Sequence, residues 1–132
     1  MNYLLDTHTL LWVLFDEERL SKKSIIAFKN PKNILFVSIV SYWEISLKYG
    51  LGKLELTGIT PDELPYYAKE AGIQTSKVSE ITASTFHKLP RSKHKDPFDR
   101  LIIWQAIHQN HILITKDRKI KEYQKHGLKV LW

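Results

Sequence analysis

"NYLLDTHTLLWVLF", residues 2–15, changes its period partway through. "NYLLD" (2–6) is a short apolar run closed by an acid and reads as a buried strand, while residues 7–15 form an amphipathic helical segment. A buried strand passing straight into a helix is the opening of a βαβ unit. Asp6 sits at the joint with apolar neighbours on both sides. Aspartate is a good helix N-cap, so a purely structural reading of Asp6 is available.

The same alternation recurs along the chain. "ILFVS" (34–38), "IQTSKV" (73–78, the weakest), "HILIT" (111–115) and "LKVLW" (128–132) read as further strands. Amphipathic segments lie at about 19–29, 39–50, 61–71, 79–88, 97–109 and 118–125. This rhythm predicts an α/β fold with a central, mostly parallel sheet of about five strands covered on both faces. Gly72 and Gly127 each stand between a helical segment and the next strand, where a helix C-cap belongs. Pro61 and Pro97 stand where first-turn prolines are tolerated. Residues 51–60, "LGKLELTGIT", read as a loop or short hairpin. In such folds ligands bind beyond the carboxyl ends of the strands, which is where chemistry is to be sought.

The 132 residues show no shift in composition, no repeat and no low-complexity segment, so one domain spanning 1–132 is expected. With no cysteine, disulfides and thiolate metal sites are excluded. The early apolar run Leu10–Phe15 is far too short to span a bilayer, and no basic segment precedes it. The reading is a cytoplasmic protein without membrane association. The net charge of +6, from 20 Lys+Arg against 14 Asp+Glu, favours a polyanionic partner, although solubility alone also accounts for it.

Three more acids belong beside Asp6. Glu44 falls within the apolar stripe of Val40, Trp43, Leu47 and Leu51, yet Lys48 stands at i+4 and could pair with it at the surface. A buried carboxylate costs several kcal/mol unless it is paired or ligates a cation, so both readings stay open. Asp96 precedes Pro97 and suits an N-cap. Asp99 occupies the capping-box position, where the longer Glu or Gln is usual, and shares a helix face with Ile102 and Ile103. Asp117 follows "HILIT" at a strand's carboxyl end and could cap the last helix. Gathered together, Asp6, Glu44, Asp99 and Asp117 would repel one another and call for a cation. Oxygen-only ligands without histidine or cysteine clusters suit Mg²⁺, or Mn²⁺ as a substitute. That is a layout for metal-assisted phosphodiester hydrolysis. Arg91, Lys93 and Lys95 of "RSKHK", with Lys48, Lys53, Arg100, Lys116 and Arg118, are candidates for a basic rim holding a phosphate backbone; a solvated surface charge is the alternative for each.

Taken together, "LLDTHTLLW", "SYWEISLKYGLGKL", "HKDPFDRLIIWQA" and "ILITKDRKI" resemble the PIN-domain nucleases, most of all the VapC-type toxins of toxin–antitoxin pairs. The resemblance covers nearly the whole chain. It implies a three-layer α/β/α fold and an Mg²⁺-dependent ribonuclease whose four acidic positions fall on Asp6, Glu44, Asp99 and Asp117, with Asp6 and Asp99 as direct metal ligands. Thr115 matches a polar position near the site, and Thr7 and Asp96 are expected beside it. The resemblance also implies a homodimer, an RNA substrate and a cognate antitoxin. Haloacid-dehalogenase-like phosphotransfer fails because Asp6-Thr7-His8 lacks the second acid, and a receiver domain fails because no acid ends "IQTSKV". A non-catalytic nucleic-acid-binding or regulatory module would explain the charge but not a buried glutamate.

Overall fold

In a computed structural model describing residues 1–132, the chain runs β1 (Asn2–Leu5), α1 (Thr7–Phe15), α2 (Lys22–Lys29), β2 (Ile34–Ser38), α3 (Ile39–Gly50) and α4 (Leu64–Glu70). It continues through β3 (Ile73–Ser76), α5 (Glu80–Ser84), α6 (Pro97–Gln109), β4 (Ile112–Ile114), α7 (Arg118–Lys121) and β5 (Lys129–Leu131). Every strand pairing is parallel, and the order is β3-β2-β1-β4-β5. The expected α/β architecture is therefore present, with a wholly parallel sheet. No helix is long and apolar enough to cross a membrane.

Parallel strands are covered on both faces, so their residues are apolar in both directions. Tyr3 and Leu5 face one layer, packing with Leu10, Ala27, Ile45 and Leu64 of α1 to α4. Leu4 and Leu113 face the other, packing with Ile102, Ile103 and Ala106 of α6 and with Tyr123. The chain steps from β1 outward through β2 to β3, then crosses back to place β4 on the opposite side of β1. The order reverses between β1 and β4, and a crevice opens beyond their carboxyl ends.

Local departures from the sequence reading have identifiable causes. Residues 51–60 form no hairpin; the segment turns through Gly52 and Gly58, at φ 72° and 79°. The third strand stops at Ser76, and a new helix start is capped by Ser79, whose hydroxyl accepts the Thr82 N–H at 3.0 Å. Gly72 and Gly127 do adopt the left-handed backbone expected after a helix. The α3 stripe needs correction. Trp43 and Leu51 are each 61% exposed and Leu47 is exposed as well; the inward face carries Val40, Ser41, Glu44 and Ile45. The reason is that α3 meets the start of α1 through polar contacts at Ser41 and Glu44, which turns the apolar ridge outward.

The sheet-facing side of α6 aims its N-terminus at the crevice. Ile103 is fully buried there, so Ile103→Ala should cost about 2–5 kcal/mol and Ile103→Val about 0.5–1.5 kcal/mol in urea unfolding.

Candidate active site

Each acid of the crevice is placed by a local backbone device. Asp6 directly follows β1, and its N–H continues the ladder to the Ile114 carbonyl at 3.2 Å. Its Oδ1 accepts the Thr9 N–H at 2.8 Å, so it caps α1. Asp6 is buried; burial pushes its pKa up, and hydrogen bonds from Thr115 and Thr9 and the nearby His8 oppose the rise. Asp117 lies beyond β4 and caps α7, its Oδ1 accepting the Lys119 N–H at 2.9 Å. The fully buried Thr115 accepts the Asp117 N–H at 3.1 Å and so fixes that turn.

Asp96 caps α6, its Oδ1 accepting the N–H groups of Phe98 at 2.9 Å and Asp99 at 3.1 Å. Asp99 is thereby released from capping. Its Oδ2 lies 3.0 Å from His94 Nε2, which in turn stands 4.0 Å from Asp117 Oδ2. One ligating atom from each of His94, Asp99 and Asp117 falls within 4.8 Å of the others. The Asp99 pKa is raised to about 6, first by burial and then by the charges of Asp96, Glu44 and Asp6, with His94 opposing.

Glu44 satisfies both sequence readings at once. It is only 3% exposed, its Oε1 accepts the Thr7 hydroxyl at 2.6 Å, and its Oε2 pairs with Lys48 Nζ. Because Thr7 has a single hydroxyl proton, Ser41 is the donor in the 3.0 Å Thr7–Ser41 contact. The pair is drawn inward rather than out to water. Burial depresses the Lys48 pKa, but Glu44, Asp96 and Asp99 outweigh it and hold the ammonium above its ordinary value.

The basic rim needs two corrections. Lys48 is engaged as the counter-charge of Glu44 rather than free for a phosphate. The Arg100 guanidinium donates to the carbonyls of Leu89 at 3.1 Å and Pro90 at 3.2 Å and to the Tyr123 hydroxyl at 3.2 Å, so it staples the loop before α6. Lys53, Arg91, Lys93, Lys95, Lys116 and Arg118 are exposed. Arg91 and Lys95 border a polar cavity of about 400 Å³ with Ser92, His94 and Arg100.

His94 is the site residue that sequence reading did not single out; it appeared only within a basic run. The loop is pinned over the acids by Ser92, which donates to Tyr123 Oη at 2.9 Å and accepts the His94 N–H at 3.0 Å. His8 and Trp12 were also missed. They line a second cavity, of about 290 Å³, with Asp6, Lys116 and Asp117. The only available signal was their spacing of four on the helix that follows Asp6.

The donors fit a hard divalent cation. Carboxylates dominate, no thiolate is present, and the mutual repulsion recorded at Asp99 is relieved by positive charge.

This is an α/β domain with a wholly parallel sheet and an acidic crevice at its switch point. Residues 3–126 match the PIN domain family, and the chain belongs to that family. It is 29% identical over 121 residues to Ribonuclease VapC22 of Mycobacterium tuberculosis, covering 92% of this chain and 91% of that protein. Three solved structures share the fold. VapBC2 from Rickettsia felis matches at 16% identity and TM-score 0.67, over 99% of this chain and 98% of that one. VapBC-1 from nontypeable Haemophilus influenzae matches at 18% and 0.66, over 99% and 97%. VapBC from Salmonella typhimurium matches at 13% and 0.64, also over 99% and 97%.

Asp99 binds its proton more tightly in the folded chain than in the unfolded one. Its favourable contribution to folding is complete below the ordinary value of 3.8 and is lost as pH rises through about 6. Asp99→Asn removes that loss. Without divalent ions at neutral pH, the variant should be more stable than wild type by on the order of 1–3 kcal/mol, and the two should converge as pH falls toward 4. Glu44→Gln should have the opposite sign, because it strips Lys48 of its buried counter-charge at a cost of about 1–3 kcal/mol. Urea titrations of both variants in chelator at two pH values check the pair of signs.

Proposed function

We propose that this chain is a divalent-metal-dependent endoribonuclease, acting in the cytoplasm as the toxin of a toxin–antitoxin pair. The observation that carries the reading is the meeting of Asp99 and Asp117 at His94, with Asp6 lining the same cavity as Asp117 and its charge felt at Asp99. The ribonuclease name of its relative supports RNA as substrate.

Asp6, Asp99 and Asp117 would hold Mg²⁺ or Mn²⁺, with Glu44 behind them. A bound ion supplies positive charge that polarises the scissile phosphodiester and acidifies water. The capping bonds hold the Asp6 and Asp117 carboxylates in fixed directions. Glu44 holds Thr7, and so the start of α1, against Asp6. His94 orients Asp99 through its Nε2. Exposed Lys93, Lys95, Lys116 and Arg118, with Arg91, draw the phosphate backbone toward the acids.

The VapBC pairing of the structural neighbours supports a cognate antitoxin, and the net charge of +6 suits one with an acidic tail. A homodimer would cover the exposed stripe of Ile39, Trp43, Leu47 and Leu51 on α3.

Purified protein freed of antitoxin should cleave single-stranded RNA internally with Mg²⁺ or Mn²⁺. Cleavage should stop in EDTA, return on adding the metal back, and be lost in Asp99→Asn. Undiminished cleavage after chelation and desalting would overturn the metal-dependent reading.

A further inference from the structure

His8 and Trp12 are one turn apart on the outer side of α1, immediately after Asp6. With Lys116 they form three of the five residues lining the 290 Å³ cavity; the other two are the crevice acids Asp6 and Asp117. We infer that this cavity is a base-binding subsite, which receives one unstacked nucleobase of a single-stranded segment beside the scissile phosphate. This rests on the nuclease reading of the adjoining acids and adds the substrate feature they cannot supply.

The lining has the chemistry of a nucleotide. Trp12 is half-buried and braced from behind by Trp132, with ring centroids 5.8 Å apart at 59°. The His8 ring lies 5.9 Å from it at 38°. Lys116 Nζ and Arg19 Cζ each stand 5.9 Å from the indole centroid. Arg19 is held by Asp16 at 2.8 Å, whereas Lys116 forms no ion pair and is free to meet a phosphate. The Trp104 indole N–H donates to Thr85 Oγ1, but that of Trp12 donates to no protein atom. A tryptophan serving only the core would bury its ring among aliphatic side chains. Trp12 instead lines the cavity beside Asp6 and Asp117, with a cation from each of two side chains 5.9 Å from its ring centroid.

Size and position decide the substrate class. The volume lies at the lower end of the ~300–1,000 Å³ typical of small-ligand cavities, enough for one base and too small for a duplex. Every base has a π face, so stacking on Trp12 selects for an unpaired nucleotide and not for a particular base. Cleavage would fall in loops and single strands, with Lys116 on the flanking phosphate.

Anisotropy in EDTA, where no cleavage interferes, tests this with two probes: a labelled single-stranded RNA octamer, and the same octamer with its central nucleotides replaced by tetrahydrofuran abasic sites. The abasic probe should bind wild type roughly 5- to 100-fold more weakly, the range of a single stacked base. Trp12→Ala should lose a similar factor for the intact octamer and bind both probes alike. Trp12→Phe keeps an aromatic face and should retain most of the discrimination, while losing the indole fluorescence quenching that the intact octamer causes in wild type. Should Trp12→Ala not fold, that quenching decides: undiminished quenching in Trp12→Phe overturns the subsite. So does a folded Trp12→Ala that discriminates as wild type does. Cleavage in Mg²⁺ without Trp12-dependent discrimination would remove the subsite and leave the nuclease reading. Discrimination without any cleavage would remove the nuclease reading and leave the subsite.

Discussion

Like charges forced together at the carboxyl edge of a parallel sheet are the constraint around which this molecule is arranged. Asp6, Glu44, Asp99 and Asp117 come from segments far apart in sequence, and the order β3-β2-β1-β4-β5 delivers them to one crevice. Each would be comfortable alone on a surface. Together they repel, and Asp99 carries that cost, its pKa raised first by burial and then by the charges of Asp96, Glu44 and Asp6. The fold offsets the rest with local positive charge. The N-termini of α1 and α6 lie against Asp6 and Asp96, and Lys48 neutralises Glu44; a hydrogen-bond contact from His94 Nε2 engages Asp99.

Capping and chemistry divide the oxygens of the carboxylates. Asp6 commits Oδ1 to the Thr9 N–H and Asp117 commits Oδ1 to the Lys119 N–H, while Asp117 Oδ2 faces His94. Asp96 takes the entire capping task of α6, so Asp99 brings its carboxylate to the site without a backbone bond of its own. Two acids flank Pro97-Phe98 for this reason: one fixes the helix and the other is aimed by it. Carboxylates tied by one oxygen to a rigid helix start keep their direction before any ligand arrives, which is the preorganisation a charge-stabilising site requires.

What could be read from the sequence was what local signals encode. Five strands, seven helical segments and the caps at Asp6, Asp96 and Asp117 follow from periodicity and short-range chemistry, and all three acids do cap helices. Glu44 stood open between burial and pairing with Lys48, and the stripe invoked for burial is the wrong one: the apolar ridge Trp43, Leu47 and Leu51 faces out, because the Thr7–Ser41–Glu44 contacts set the rotation of α3. No hydrophobic pattern reports a contact between side chains 34 and 37 residues apart. Arg100 looked like any rim cation until the loop carbonyls of Leu89 and Pro90 came round to meet it. His94 was hidden for the same reason, since Tyr123, 31 residues beyond Ser92, holds its loop over the acids.

The Glu44–Lys48 pair gives a buried glutamate a structural task of its own. An ion pair of this kind rarely adds net stability over an apolar replacement, so stability alone is a poor reason for it. Its geometry supplies a better one. Glu44 Oε1 holds the Thr7 hydroxyl, and Thr7 is the residue next to Asp6. The bond therefore sets the start of α1, and through it the direction of the Asp6 carboxylate, with one residue of leverage. An unpaired glutamate could do this only by adding a full repelling charge to the cluster. Lys48 cancels that charge while remaining close enough to Asp96 and Asp99 to soften their repulsion as well. The inner pair, nearly neutral as a unit, thereby holds the start of α1 beside Asp6 without adding to the repulsion at the crevice.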